Sequence, residues 1–143
     1  MLPLCFYTRC YNFIKIEMRR MMRFLRSLNY AFQGIKYCFI SERNFRIELL
    51  VALLTIALSA VLKIGTNEWL AVLFCSALVL CLEIINTSIE KLSNVVNASI
   101  HPVIKVVKDT AAASVFTASL ISLVIAAIIF LPKVEPFIKS FLK

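Results

Sequence analysis

The stretch Leu82-Glu83-Ile84-Ile85-Asn86-Thr87-Ser88-Ile89-Glu90 decides how the rest of this chain has to be arranged. Its Glu83, Asn86 and Glu90 are spaced i, i+3 and i+7, so on a helix they share one face. They lie at the end of an apolar run that begins at Trp69. A carboxylate near the middle of a bilayer costs about 3 kcal/mol on insertion scales, so these side chains need partners. We therefore expect a polar site that faces a helix bundle and holds a metal ion or moves a proton.

The composition is that of a membrane protein with a single domain. The chain has 143 residues, of which 61% are hydrophobic, and a soluble domain of this size could not bury so much apolar surface. The net charge is +8 and no motif for binding DNA or RNA is present. Because the charge accompanies a hydrophobic body, anionic lipid headgroups are expected as partners and nucleic acid is not.

The succession of sequence patterns along the chain predicts an all-α membrane protein that begins with a surface helix. Residues 1–20 show little pattern and are interpreted as an N-terminal extension, while 21–143 form one integral-membrane domain. Residues 21–40 combine a basic face with an aromatic one, which favours an amphipathic helix lying at the membrane surface. Three apolar stretches follow, each long enough to cross the hydrocarbon core. These predicted spans cover about 47–64, 69–89 and 111–131.

The connections between the predicted spans carry turn and boundary signals. Gly65 to Glu68 is predicted to form a tight loop, and the first part of 91–110 is expected to extend the second helix beyond the bilayer. Pro102 disfavours helix at the residue before it and predicts a new helix start. Pro132 is predicted to end the third span.

The distribution of lysine and arginine predicts the orientation. Nine of the sixteen precede the first span, only Lys63 lies in the first loop, and three lie within 91–110. The excess of positive charge places the N-terminus and 91–110 in the cytoplasm. We therefore expect a multi-pass membrane protein with its site at the cytoplasmic face.

The polar residues near that face suit phosphoryl transfer. Glu42 and Glu90 lie on different segments and can hold Mg²⁺, which prefers a few carboxylates together with water and phosphate oxygens. Lys108 supplies a positive charge for phosphate, and Glu83 lies deepest, where it can act as a general base. These parts fit transfer from a magnesium nucleotide to a lipid alcohol. With two glycines in the chain, a glycine-rich phosphate loop cannot be built.

Three blocks of sequence resemble the prokaryotic diacylglycerol kinase family, which includes the undecaprenol kinases. The blocks are ERNFRIE (Glu42–Glu48), EIINTSIE (Glu83–Glu90) and HPVIKVVKDTAAASV (His101–Val115). The resemblance covers about residues 28–132, including the order and spacing of the blocks. It implies a surface helix followed by three membrane helices, assembled as a homotrimer with composite active sites.

The resemblance also implies roles for individual residues in an ATP-dependent reaction. Glu83 matches the catalytic base that deprotonates the lipid hydroxyl, and Asn86 matches the residue that orients groups beside it. Glu42 and Glu90 match the residues that bind Mg²⁺. The predicted nucleotide-binding residues are Tyr30, Glu42, Glu90, Asn94, His101, Lys108 and Asp109. The predicted lipid-binding residues are Glu83, Arg46 and Glu48.

Asn94 departs from the family pattern, in which this position is usually an aspartate. Asparagine keeps a hydrogen-bond acceptor and loses the charge, which affects the nucleotide end of the predicted site rather than the base. Structural alternatives stay open for Glu48 as a buried polar contact and for His101 as an ordinary loop residue. Glu42 and Glu90 have one as well, as interface acids paired with Arg43, Arg46 or Lys91.

The sequence leaves several functions open. Diacylglycerol is the expected lipid, and undecaprenol is the alternative, since both present a primary hydroxyl at the bilayer surface. A different class of protein, a small proton-coupled transporter with Glu83 as its coupling acid, is a further alternative. An inactive membrane scaffold is the last alternative, for which Asn94 is the only hint.

Overall fold

A computed structural model of the chain describes residues 3–96 and 102–141, with side chains described for 15, 17–96 and 102–134. Within these ranges the secondary structure consists of four α-helices. They are α1 (Pro3–Ser41), α2 (Arg43–Val61), α3 (Thr66–Val96) and α4 (Pro102–Phe141). The prediction of an all-α chain with an N-terminal helix and three further helices is confirmed.

The chain divides into two compact units, Met1–Tyr37 and Cys38–Lys143. The first unit consists of α1 up to Tyr37. This helix begins at Pro3 rather than at the predicted residue 21, so helix also covers most of the stretch interpreted as an extension. Large apolar side chains such as Phe24 and Phe32 are exposed along it. Such exposure is typical of a helix that lies in a membrane interface.

The second unit contains the last turn of α1 together with α2, α3 and α4. Each of these three helices has a segment long and apolar enough to cross a membrane: Arg43–Val61, Thr66–Val96 and Pro102–Val134. The prediction of three membrane spans is confirmed, and the helices extend beyond the predicted spans because their polar ends are also helical. The chain is a multi-pass membrane protein.

An apolar cluster holds one end of the second unit together. α3 packs against both α2 and α4. The cluster consists of Ile64, Val72, Ile129 and Phe130, which come from the α2–α3 connection, the start of α3 and the later part of α4. Contact between the start of α3 and the later part of α4 shows that these two helices run antiparallel.

The α2–α3 connection is a helix C-terminus followed immediately by a new helix. The amide of Ile64 donates to the carbonyl of Ser59 and the amide of Lys63 donates to that of Ala60, both at 3.3 Å. Lys63 has φ 50°, the left-handed conformation that this type of helix ending requires. Since α3 already begins at Thr66, the prediction of a loop from Gly65 to Glu68 is wrong. The non-helical residues are 62–65 instead.

Glu68 joins the beginning of α3 to the later part of α4. Its Oε2 accepts a hydrogen bond of 2.6 Å from the backbone amide of Gly65, which satisfies one of the free amides of the first turn. Its Oε1 lies 2.8 Å from Nζ of Lys133. The same carboxylate therefore caps one helix and forms an ion pair with its neighbour.

Pro102 and Pro132 differ in their effect on α4. Pro102 is the first residue of α4, as predicted, because a first-turn position has no helical partner for its missing amide hydrogen. Pro132 does not end the helix, which continues to Phe141, so this prediction is wrong. Membrane helices tolerate an interior proline where neighbouring helices compensate for the lost backbone hydrogen bond. The Glu68–Lys133 ion pair lies directly beside this position.

Lys63→Gly is expected to stabilise the protein by about 1 kcal/mol, because the left-handed conformation penalises a Cβ atom and glycine lacks one. Unfolding in detergent micelles measures the change. Lys63→Ala is the matched control, since it removes the same charge and keeps the penalty, and it should give no gain. Equal stability of the glycine and alanine variants would contradict the interpretation.

Candidate active site

The buried polar residues of α3 lie at the end of the helix opposite the apolar cluster. Glu83 is only 3% exposed and Asn86 is 9% exposed, although most of the neighbouring side chains of α3 are more accessible. The Asn86 side chain is hydrogen-bonded to the Glu83 carboxyl group. Among the described residues, Asn86 Oδ1 has no hydrogen-bond partner. The amide therefore keeps an unused acceptor next to a buried carboxyl group.

Three further acids gather around Glu83. Glu42 and Glu90 lie within electrostatic range of its carboxyl group. Glu48, on α2, lies within the same range of Glu83 from another side. One oxygen of Glu48, Oε2, is buried and has no hydrogen-bond partner within the described part of the chain. The fold thus brings together acids from α2, from α3 and from the residue that joins α1 to α2.

Cys38 and Thr87 belong to the same cluster and were not predicted as part of it. Both are buried, and the Thr87 hydroxyl is hydrogen-bonded to the Cys38 thiol. Burial raises the pKa of this thiol above its usual range, and the nearby charges of Glu42 and Glu83 act in the same direction, against the hydrogen bond from Thr87. The sequence contained one usable signal, because Thr87 follows Glu83 at i+4 and so shares its face.

Glu42 forms an ion pair with α3. Lys91 Nζ lies 3.0 Å from Glu42 Oε1, with the two side chains 47% and 21% exposed. This pairing agrees with the structural alternative for Glu42, an interface acid paired with Lys91, and it involves one of the two predicted metal-binding acids. The link ties the segment before α2 to α3.

The predicted nucleotide-binding residues are only partly brought together. Lys108 of α4 donates a 3.3 Å hydrogen bond to Asn94 Oδ1 of α3. Asn94 lies about 16 Å along the helix axis from Glu83, so the site is elongated along α3. Asp109 is exposed beside Lys108. Tyr30 is exposed in the first unit, and His101 lies outside the described residues.

Arg46 occupies a structural position. Its Nη1 donates hydrogen bonds to the carbonyl oxygens of Phe39 at 3.1 Å and Ile40 at 2.8 Å. These carbonyls belong to the last turn of α1, where no further helical amides are available. The preceding carbonyl, that of Cys38, accepts from the Glu42 amide at 2.9 Å. Arg46 therefore completes the C-terminal cap of α1 just before Glu42.

A groove lies between α2, α3 and α4 and has Glu48 on its wall. Its volume is about 320 Å³ and its lining is mostly apolar. Two of the hydroxyl groups that line it are already bonded to their own helices, Thr55 to the Val51 carbonyl and Ser122 to the Ala118 carbonyl, both at 2.8 Å. Because the lining is mostly apolar, the groove suits an apolar chain. The sequence interpretation did not predict this groove.

Three apolar helices, with a buried acid and three partly exposed acids near one end, define a multi-pass membrane protein with a polar site. The family model of prokaryotic diacylglycerol kinase matches residues 29–130. The chain therefore belongs to the prokaryotic diacylglycerol kinase family, and it is a lipid kinase of that type.

Individual relatives agree with the family match. A diacylglycerol kinase of Synechocystis is 31% identical over 107 residues, which cover 74% of this chain and 61% of that protein. An undecaprenol kinase of Bacillus subtilis is 32% identical over 111 residues, covering 78% of this chain and 90% of that protein. A diacylglycerol kinase of Helicobacter pylori is 34% identical over 92 residues, or 64% and 72% of the two chains. The chain thus spans less than two thirds of the Synechocystis enzyme and most of the Bacillus one.

Arg46→Gln is expected to loosen the end of α1, because two backbone carbonyls lose the donor that caps them. The expected loss of stability is about 1–2 kcal/mol, with faster amide hydrogen exchange around residues 38–42. Hydrogen exchange of the purified protein measures the effect. Arg43→Gln, on the neighbouring turn, removes the same charge and should leave this exchange unchanged. Equal exchange in the two variants would contradict the capping role of Arg46, and the lipid-binding role predicted from the sequence would stay open.

Proposed function

We propose that this protein transfers the γ-phosphate of ATP to the hydroxyl group of a membrane lipid, and that diacylglycerol, converted to phosphatidic acid, is that lipid. The observation that carries the proposal is the buried Glu83 carboxyl group with the Asn86 amide beside it, surrounded by further acids in a chain of this family. A base at that depth is suited to a hydroxyl group carried by a lipid rather than by a soluble molecule.

The reaction assigns one proton-transfer step to Glu83. The lipid hydroxyl oxygen attacks the γ-phosphorus, forming a new O–P bond while the bond from this phosphorus to the β,γ-bridging oxygen breaks. The electron pair of the broken bond remains on ADP, and the hydroxyl proton passes to the Glu83 carboxylate, which later returns it to water. Asn86 holds the carboxyl group through its amide, and its unused Oδ1 can accept from the lipid headgroup.

Glu42 and Glu90 are the residues that would hold Mg²⁺. Among the residues that the structure describes, no three His, Cys, Asp or Glu side chains are grouped as a metal site. Two carboxylates nonetheless fit this ion, because Mg²⁺ is commonly bound by one or two carboxylates together with substrate phosphates and water. The buried Glu42 Oε1, which lies 3.0 Å from Lys91 Nζ, is a carboxylate oxygen of the kind that Mg²⁺ binds. When bound, the ion would neutralise charge on the phosphates.

The nucleotide is proposed to lie along the cytoplasmic end of α3, with its phosphates near Lys108. Lys108 is held toward α3 by Asn94, and Asp109 is exposed on the same side. Tyr30 and His101 remain predicted contributors from the family resemblance. The bacterial inner membrane, the cytoplasmic orientation and the homotrimer are part of the same proposal, supported by family membership and by the basic N-terminal half.

The groove beside Glu48 supports a substrate with an apolar chain. Glu48 lies on its wall and within electrostatic range of Glu83, so a chain lying there has its polar end near the proposed base. This position supports a lipid-binding role for Glu48. Arg46 is better explained as a cap of α1, since both of its bonds from Nη1 go to backbone carbonyls.

Undecaprenol is the second candidate lipid. The observation in its favour is the undecaprenol kinase of Bacillus subtilis, 90% of whose length aligns with this chain. A proton-coupled transporter is disfavoured by the family assignment, and so is an inactive scaffold, since Glu83, Asn86 and Glu90 are all present.

Transfer of labelled phosphate from ATP, with Mg²⁺ in mixed micelles, tests the proposed function. Diacylglycerol and undecaprenol are assayed in parallel, and product is expected with at least one of them, with diacylglycerol the faster. Glu83→Gln should lower kcat by about a thousandfold, since a general base contributes on this order. Labelled product from neither lipid, with a folded protein, would overturn the proposal, and faster transfer to undecaprenol would replace the lipid.

Lys108→Gln is expected to raise KM for ATP by about tenfold to a hundredfold with a smaller change in kcat, because a charge-assisted hydrogen bond to phosphate is lost. Steady-state kinetics at saturating lipid separate the two constants. Lys105→Gln removes an exposed lysine one turn earlier on the same helix and should leave KM for ATP near the original value. A fall in kcat alone would place Lys108 outside the nucleotide site.

A further inference from the structure

Lys91 makes an unusual contact for a residue next to a proposed metal-binding acid. Its ammonium group lies 3.0 Å from Glu42 Oε1, and this same oxygen is buried without a hydrogen bond that meets normal geometry within the described residues. The contact is therefore an ion pair. An ion pair between partly exposed side chains is weak, so another cation can replace the lysine beside Glu42.

The Glu42 carboxyl group is not used by its own helix. Glu42 is the N-cap residue of α2 with extended backbone (φ −108°, ψ 119°), and its side chain makes no capping hydrogen bond. An N-cap position normally favours a side chain that accepts from the first-turn amides. Here the carboxyl group instead contacts α3, where Lys91 directly follows Glu90.

The acids around Glu42 explain why a cation beside its carboxyl group is favourable. Glu42 and Glu90 both lie within electrostatic range of the buried Glu83, so without a cation three acids repel one another. An ammonium group beside Glu42 reduces that repulsion. It would also repel a divalent cation approaching the same carboxylate, so the ammonium group and the metal ion compete for one position.

We propose that Lys91 is an internal counter-cation that occupies the Glu42 carboxylate in the metal-free protein and is displaced when a divalent cation binds. This inference rests on the proposed function, because it takes Glu42 as a metal ligand. The Lys91 side chain is 47% exposed, so its ammonium group can move into water on a flexible stem while Glu42 stays in place. Lys91 thus positions Glu42 before the metal arrives and sets the concentration of metal that is needed.

Titration with Mn²⁺ alone, followed by the electron paramagnetic resonance signal of the free ion, tests the competition without any turnover. Lys91→Gln is expected to bind Mn²⁺ about fivefold more tightly than the original protein, since an ion pair of this exposure is worth up to about 1 kcal/mol. Lys91→Arg keeps the positive charge and should restore the original affinity. Lys105→Gln, which removes a charge from α4, should not change it.

Thermal unfolding in detergent separates this role from a purely structural one. Lys91→Gln should lower the Tm in EDTA, where Glu42 is left without a cation, and the difference from the original protein should shrink in saturating Mg²⁺. An equal loss of Tm in both conditions, or an unchanged Mn²⁺ affinity, overturns the proposal.

Kinase activity of the original protein, measured on the same preparation, distinguishes failure of the Lys91 proposal from failure of the proposed function. Activity with unchanged Mn²⁺ affinity in Lys91→Gln overturns the role of Lys91 and leaves the proposed function standing. Absence of Mn²⁺ binding to the original protein overturns the role of Lys91 together with the metal site. Loss of the proposed function appears separately, as absence of phosphate transfer to either lipid.

Discussion

The burial of the Glu83 carboxyl group among apolar helices is the constraint on which the rest of this structure depends. A carboxyl group that is 3% exposed loses nearly all of its hydration, and among the described residues the Asn86 amide on its own helix compensates for part of that loss. The other acids nearby make the burial more costly, because like charges repel. A protein that keeps such a cluster must stabilise it from elsewhere, and functional residues in membrane helices are commonly of this kind.

The stabilisation lies at the opposite end of the helices. Val72 and the Glu68–Lys133 ion pair join the start of α3 to the later part of α4, and Glu68 lies about 22 Å along the axis from Glu83. The apolar cluster there contains no titratable side chain. The helices can therefore be fixed by packing at one end and present unsatisfied polar groups at the other, which is the arrangement that a catalytic site requires.

The sequence predicted those features that depend on residues close together in the chain. The length of the apolar stretches predicted the membrane spans, and the i, i+3 spacing predicted that Glu83 and Asn86 share a face. The pairing of Glu42 with Lys91 and of Asn94 with Lys108 joins different helices, and local periodicity carries no information about such contacts. The continuation of α4 through Pro132 was missed for the same reason, since tertiary packing overrode a local helix-breaking preference. The roles of the site residues remain predictions that the fold accommodates.

Under the proposed function, selection between the two candidate lipids would depend on contacts with the apolar part of the lipid. Diacylglycerol and undecaprenol both offer a primary hydroxyl group, so a carboxylate base that removes the proton meets the same chemistry in each. Their difference lies in the apolar part, which is two acyl chains in one case and a single prenyl chain in the other. The groove of about 320 Å³ beside Glu48 is a place where this difference can change lipid binding. Its lining is mostly apolar, and its Thr55 and Ser122 hydroxyls are already hydrogen-bonded. Exchanging small groove residues should therefore change the preferred lipid while Glu83 keeps its role.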